Sequence, residues 1–281
     1  MTLHHWVAAV FAAALTIAAL PHAHDATAES RELRVCADPD NLPFSNRRLE
    51  GFENKIADLI ANDMNATVKY SWMPQRRGFV RRTLKAGECD LVMDVPAGFE
   101  MVLATKPYYR STYVFVYRRD SKLNLRSFDD PVLRDLKIGL HMAFDDGANQ
   151  PPAHALAKRG IVKNVVGFRM FDVDSIENPP GRIVDAVAER EIDVAVVWGP
   201  FGGYYARRQS VPLTVTPVSP AIDPPGLPFV YDIAMGVRRG QEAFKSEVEG
   251  VLDRRHADIQ KILEDYGIPL VTNAAPSSPQ R

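Results

Sequence analysis

Carboxylates, amides, arginines and aromatic rings recur in this chain where short apolar runs give way to polar, Pro- or Gly-marked loops. The first such loop carries Asp38, Asn41 and Phe44, and the helical pattern after it holds Asn54 in its first turn. A second brings together Trp72, Gln75, Arg76 and Arg77; a third holds Asp94, Pro96 and Gly98. Later, His141, Asp145 and Asn149 follow one apolar run, and Trp198 ends another. Amides and carboxylates hydrogen-bond or hold hard cations. Paired arginines meet anions or acidic surfaces, and large rings dominate pockets and protein interfaces. The set suits binding rather than bond breaking. There is no Gly-x-Ser-x-Gly, phosphate loop or metal triad. His141 near Asp145 reads as a hydrogen-bonded loop residue, and the pairs Asp38/Asp40 and Asp145/Asp146 lack the spacing of a calcium loop. The expectation is a non-enzyme with no catalytic residues, no metal and no cofactor.

These residues need a frame. Leu33–Ala37, Thr67–Trp72, Cys89–Val95 and Tyr113–Tyr117 read as strands, and Phe52–Asn65 and Gln75–Ala86 as helices with apolar residues on one face. That helix assignment places Arg76 and Arg77 at a helix N-terminus, where an anion or an acidic protein surface could dock; two solvated arginines on a turn is the plainer alternative. The β-α-β-α-β plan then restarts: strands at Leu136–Leu140, Val165–Phe171, Ile192–Val197 and Leu213–Val218, with helices at Pro151–Arg159, from Pro179 to Arg190, and at Phe201–Arg208. Residues 219–230, with four prolines and one glycine, read as a stiff connection. A strand at Ile233–Val237 and one long helix, Gln241–Tyr266, complete the pattern. In parallel α/β sheets, ligands bind at the loops beyond the strand C-termini, so both halves present their polar loops to a common cleft. Tyr108 and Tyr109 are expected to pack at the hinge.

The N-terminal run Trp6–Leu20 has the length of a signal-peptide core, and Ala26-Thr27-Ala28 offers a cleavage site after Ala28. It is shorter than the roughly 20 residues that span a bilayer, and no later segment is apolar enough to do so. The formal charge is -1, and removing residues 1–28 takes Asp25 and no Lys or Arg, leaving zero. That argues against nucleic acid or an anionic membrane as partner. The two cysteines, Cys36 and Cys89, suit either one disulfide of an exported protein or two buried thiols on neighbouring parallel strands.

The frame resembles the family-3 periplasmic solute-binding proteins through GFENKIADLIANDM, LKAGECDLVM, TKPYYRSTYVFVYR and IDVAVVWGP, over nearly all of residues 31–270. The resemblance implies an α/β, type II periplasmic-binding-protein fold: a two-lobe Venus flytrap with a double-crossover hinge. Its parts are a signal peptide at residues 1–28, lobe one at 29–120 plus 228–270, lobe two with the hinge segments at 121–227, and a disordered tail at 271–281. Amino-acid binders of this family carry an Arg shortly after the third strand and an Asp at the end of the second-lobe strand. Here no Arg lies between Pro96 and Tyr109, and Trp198 stands at the second position. The strings CADPDNLPFSN, WMPQRRGFVR, GECDLVMDVPAG and DDGANQPPAHALAKRG are similar to the MxaJ/XoxJ group. That resemblance implies a periplasmic accessory role in methanol oxidation, aiding maturation or activation of a PQQ-dependent alcohol dehydrogenase by contact with the enzyme or its cytochrome c. The alternatives are the receptor of an ABC importer for a small non-amino-acid ligand and, less favoured, a dehydratase-like enzyme on the same scaffold.

Overall fold

Among the described residues, ten strands form one sheet that runs through both lobes. The computed structural model of the chain describes Met1 and residues 31–142, 150–170 and 179–272. The signal-peptide, Asp145, Asp146 and Asn149 assignments lie outside these residues, as does the tail beyond residue 272.

In lobe one, β1 (Arg31–Ala37) lies between β2 (Ala66–Trp72) and β3 (Leu91–Pro96), all parallel. Between β1 and β2 comes helix α1 (Phe52–Asp63), which buries Phe52, Ile56, Ala57 and Ile60 on one face. That face is the apolar stripe at helical spacing read from the sequence. Between β2 and β3, the expected twelve-residue helix shrinks to α2 (Phe79–Arg82). Gly78, at φ +85°, turns the chain left-handed just before it, and the Thr83 hydroxyl donates to the Phe79 carbonyl, 2.7 Å away, at its end. Arg76 and Arg77 therefore sit in the turn ahead of a single helical turn, not at the start of a long helix.

The long strand β4 (Tyr109–Arg118) is the outward crossing. Its first half, through Thr112, pairs with β9 (Val230–Val237), which returns to lobe one. From Tyr113 onward it pairs with the lobe-two strands β7 (Val194–Trp198) and, on its other edge from Val114, β8 (Leu213–Pro217). The change of partner falls between Thr112 and Tyr113, ahead of the boundary drawn at residue 120 from the sequence. Lobe two continues with β5 (Ile138–Met142) and β6 (Val165–Arg169), parallel to one another and to β7. Helices α3 (Pro151–Lys158), α4 (Arg182–Ala188) and α5 (Gly199–Ala206) complete it.

The single C-terminal helix expected from the sequence is two, α6 (Glu242–Arg254) and α7 (His256–Asp265), broken at Arg255. No Pro or Gly marks the break. Both Arg254 and Arg255 pair with Asp63 at the end of α1, so a tertiary contact accompanies the bend.

Cys36 and Cys89 are disulfide-bonded, with Cα atoms 5.5 Å apart. Cys89 precedes β3 and lies outside the ladder. The awkward geometry of facing cysteines on parallel neighbours therefore does not arise.

Candidate functional site

The cleft between the lobes is built from cross-strand pairs. Pro96 on β3 lies opposite Ile233 on β9, and Tyr113 on β4 lies opposite Trp198 on β7. Strand alternation puts Asp94 on the same face as Pro96, and Tyr231 on the same face as Ile233. These six side chains, with Gln150 and Phe201, line a cavity of about 250 Å³. Tyr113 and Tyr231 each meet Trp198 edge to face, at 5.4 and 5.8 Å. Trp198 is the N-cap of α5, and Gly199 lets that helix start hard against the hinge: a Cβ there would lie 2.5 Å from the Thr112 carbonyl oxygen.

Behind this cavity the lobes touch through packed rings. Phe201 lies 5.1 Å from Phe44 of lobe one and 5.1 Å from His141 of its own lobe. The Tyr205 hydroxyl donates to the Leu42 carbonyl at 3.0 Å, and Tyr204 stacks on Tyr266. One hydrophobic cluster runs from α1 across these rings into lobe two.

Lobe one supplies the acids. Asp94 borders the cleft, and burial pushes its carboxyl pKa up to about 7. Glu53, 6% exposed on α1, is pushed well above the usual carboxylate range by burial, then by the charges of Asp94 and Asp38. Its Oε1 has no hydrogen-bond partner. Burial likewise raises Tyr108 and Tyr109 well above the ordinary phenol value. Tyr108 donates to the Met93 carbonyl at 3.0 Å, and Tyr109 packs edge to face on Phe52. Both rings thus pack by the hinge strand.

The other residues singled out in the sequence divide. Asp38 is a brace: its carboxylate accepts from the backbone N–H of Asp40 at 2.9 Å and of Gln75 at 2.5 Å. Asn41 donates to the Gln75 side chain at 3.3 Å, holding the first loop to the second. Asn54 is buried, its Oδ1 accepting from Asn46 and Gly51, which fixes the loop before α1. Phe44 belongs to the interlobe ring cluster. Trp72 stacks on Tyr70 at the outer edge of the sheet, under the Arg47 guanidinium, away from the interlobe cavity. Gln75 and Arg76 line a second hollow of about 230 Å³ that shares Asp94 and Pro96 with the interlobe cavity. Arg77 is exposed, and Gly98 sits in an exposed turn at φ +82°; neither lines these two cavities.

His141 is buried, with Nε2 3.0 Å from the Pro180 carbonyl oxygen. Burial lowers its pKa to about 4, so the ring is neutral near pH 7. Among the described residues, no group of three or more His, Cys, Asp or Glu could hold a metal ion.

Sequence reasoning missed Glu53, Gln150, Tyr113, Phe201, Tyr231 and Ile233. Glu53 was visible in principle, because it falls on the inward arc of α1 one position after Phe52. The hinge tyrosines become site residues only once strands distant in sequence are paired.

The sequence pattern of bacterial extracellular solute-binding proteins, family 3, matches residues 33–268. Protein MoxJ of Methylorubrum extorquens is 33% identical over 261 residues, covering 89% of this chain and 85% of that protein. The crystal structure of periplasmic binding protein XoxJ from Methylobacterium extorquens AM1 is similar at 36% identity and a TM-score of 0.71, over 86% of this chain and 100% of that one. MxaJ from Methlophaga aminisulfidivorans MPT superposes with a TM-score of 0.75 at 27% identity, over 85% of this chain and 100% of its own.

Proposed function

Because this chain belongs to the bacterial extracellular solute-binding proteins, family 3, and is an MxaJ/XoxJ-like periplasmic protein, we propose that it is an accessory factor of a PQQ-dependent methanol dehydrogenase system. It acts by contact with the enzyme or its cytochrome c, aiding maturation or activation. The observation that carries this reading is the character of the cleft. Trp198, beside Tyr113 and Tyr231, stands where the resemblance to amino-acid binders of the family implies an Asp, and no Arg lies between Pro96 and Tyr109. A scaffold of this kind without the Arg and Asp that amino-acid binders carry at those two positions is suited to another partner. The reading is of a binding protein rather than an enzyme, and His141 is buried with its Nε2 at the Pro180 carbonyl. Affinity capture with the tagged protein in a methanol-grown host tests the proposal. Recovery of the dehydrogenase or its cytochrome is the expected outcome, and their absence from the captured material would remove its support.

A second reading, the receptor of an importer for a small non-amino-acid solute, is favoured by one feature: the interlobe cavity itself. It predicts a large thermal shift with a single metabolite class, which a metabolite screen measures.

A further inference from the structure

The interlobe cavity has a chemistry that protein contact does not call for. Tyr113, Trp198 and Tyr231 meet one another edge to face, at centroid distances of 5.4, 5.8 and 6.5 Å. All three rings line the cavity, and the faces of aromatic rings are electron-rich. Asp94 is the single charged side chain among the described lining residues, and no Lys, Arg or His is among them. Among the described lining residues an anion would find no counter-charge, whereas a cation would meet Asp94. A volume of about 250 Å³ lies below the range usual for drug-sized ligands, which limits the occupant to a few heavy atoms. Rings around a carboxylate form the arrangement that recognises organic cations.

We propose that this cavity binds a small alkylammonium ion, its positive group against Asp94 and its methyl or methylene groups against Trp198, Tyr113 and Tyr231. The proposal stands apart from the dehydrogenase reading and holds whether or not the chain meets that enzyme. The buried neighbour Glu53 supports it. Glu53 and Asp94 repel one another when both are ionised, and a cation beside Asp94 relieves that repulsion.

Isothermal titration of the mature protein with tetramethylammonium and n-propylammonium chloride tests the site, with neopentyl alcohol as the uncharged shape match and pivalate as the anion. The expected result is saturable binding of the cations, roughly tenfold tighter than the alcohol, and no binding of pivalate. Asp94→Asn, which keeps the shape and removes the charge, weakens the cation about tenfold while leaving the alcohol unchanged. Trp198→Leu weakens the cations, and Trp72→Leu at the sheet edge does not. Thermal melts of each variant separate lost binding from lost folding. Equal binding of cation and alcohol, an unchanged Asp94→Asn, or no heat from either cation with folded protein would overturn the proposal.

Discussion

The two walls of the cleft are built on opposite principles. The lobe-one wall buries acids: Asp38, Glu53 and Asp94 are each pushed above their ordinary range by burial. The lobe-two wall presents rings, Trp198 and Phe201, backed by the buried neutral His141. Their supports differ as well. In lobe one a disulfide ties β1, which leads to Asp38, to the turn before β3, which leads to Asp94. In lobe two the buried Asp223 of the returning connection is gripped by Arg159 at 2.6 Å and Lys158 at 3.2 Å, both at the end of α3. A wall of buried acids costs stability, and such groups cluster at functional sites. A wall of packed rings contributes stability. The contrast is one of chemistry: acids on the lobe-one side and rings on the lobe-two side.

The sharpest way to break the contrast is on the ring side. Phe201→Ala removes the ring that joins Phe44 to His141, at an expected cost of about 3–5 kcal/mol. Urea denaturation measures the loss, and small-angle scattering is expected to show a larger radius of gyration as the lobes part. Next in size, Cys36→Ser with Cys89→Ser removes a cross-link between residues 53 apart. It should cost about 2–4 kcal/mol, and hydrogen exchange should localise the loosening to β1 and β3 while leaving β5 to β7 protected.

Smaller effects distinguish the walls by the sign of their pH dependence. Asp94 has its pKa raised to about 7 in the fold, against about 4 in the unfolded chain. The folded protein therefore keeps a proton that the unfolded chain has lost. The stability linked to that proton is complete below about pH 4 and is lost as pH rises through about 7. Asp94→Asn is expected to raise the melting temperature at pH 8 by a few degrees and to flatten this fall, with the residual slope due to Glu53. His141 runs the other way. Its pKa is lowered to about 4 by burial, so its contribution is present above the unfolded value of about 6.5 and is lost as pH falls through 4. His141→Gln, the smallest change, should flatten the acid limb between those values in a series of thermal melts.

Much of this frame is legible in the sequence because local signals and tertiary fate agree. The apolar stripe Phe52, Ile56, Ile60 becomes the buried face of α1, and the apolar run Val194–Val197 becomes the buried part of β7. Where they disagree, the sequence misleads. Gln75–Ala86 has helical spacing, yet Gly78 in a left-handed conformation delays its start, and the helix runs for four residues. Nothing local marks the break at Arg255, which accompanies a contact with Asp63, 192 residues away. The site divides in the same way. Asp94, Pro96 and Trp198 were found because strand C-termini in α/β sheets face the cleft. Tyr113 and Tyr231 lie within crossing strands, and only the pairing of β4 with β7 and β9 brings them to Trp198. Asp38 and Asn54 looked like ligand groups and instead hydrogen-bond the backbone of their own loops, the usual alternative use of short polar side chains.

The accessory role is tested most directly by native mass spectrometry of the periplasmically expressed protein mixed with its host's methanol dehydrogenase. The account predicts a complex at the summed mass of the two proteins, with no amino acid carried by this chain. Two separate species, with an amino acid retained by the binding protein, would contradict it.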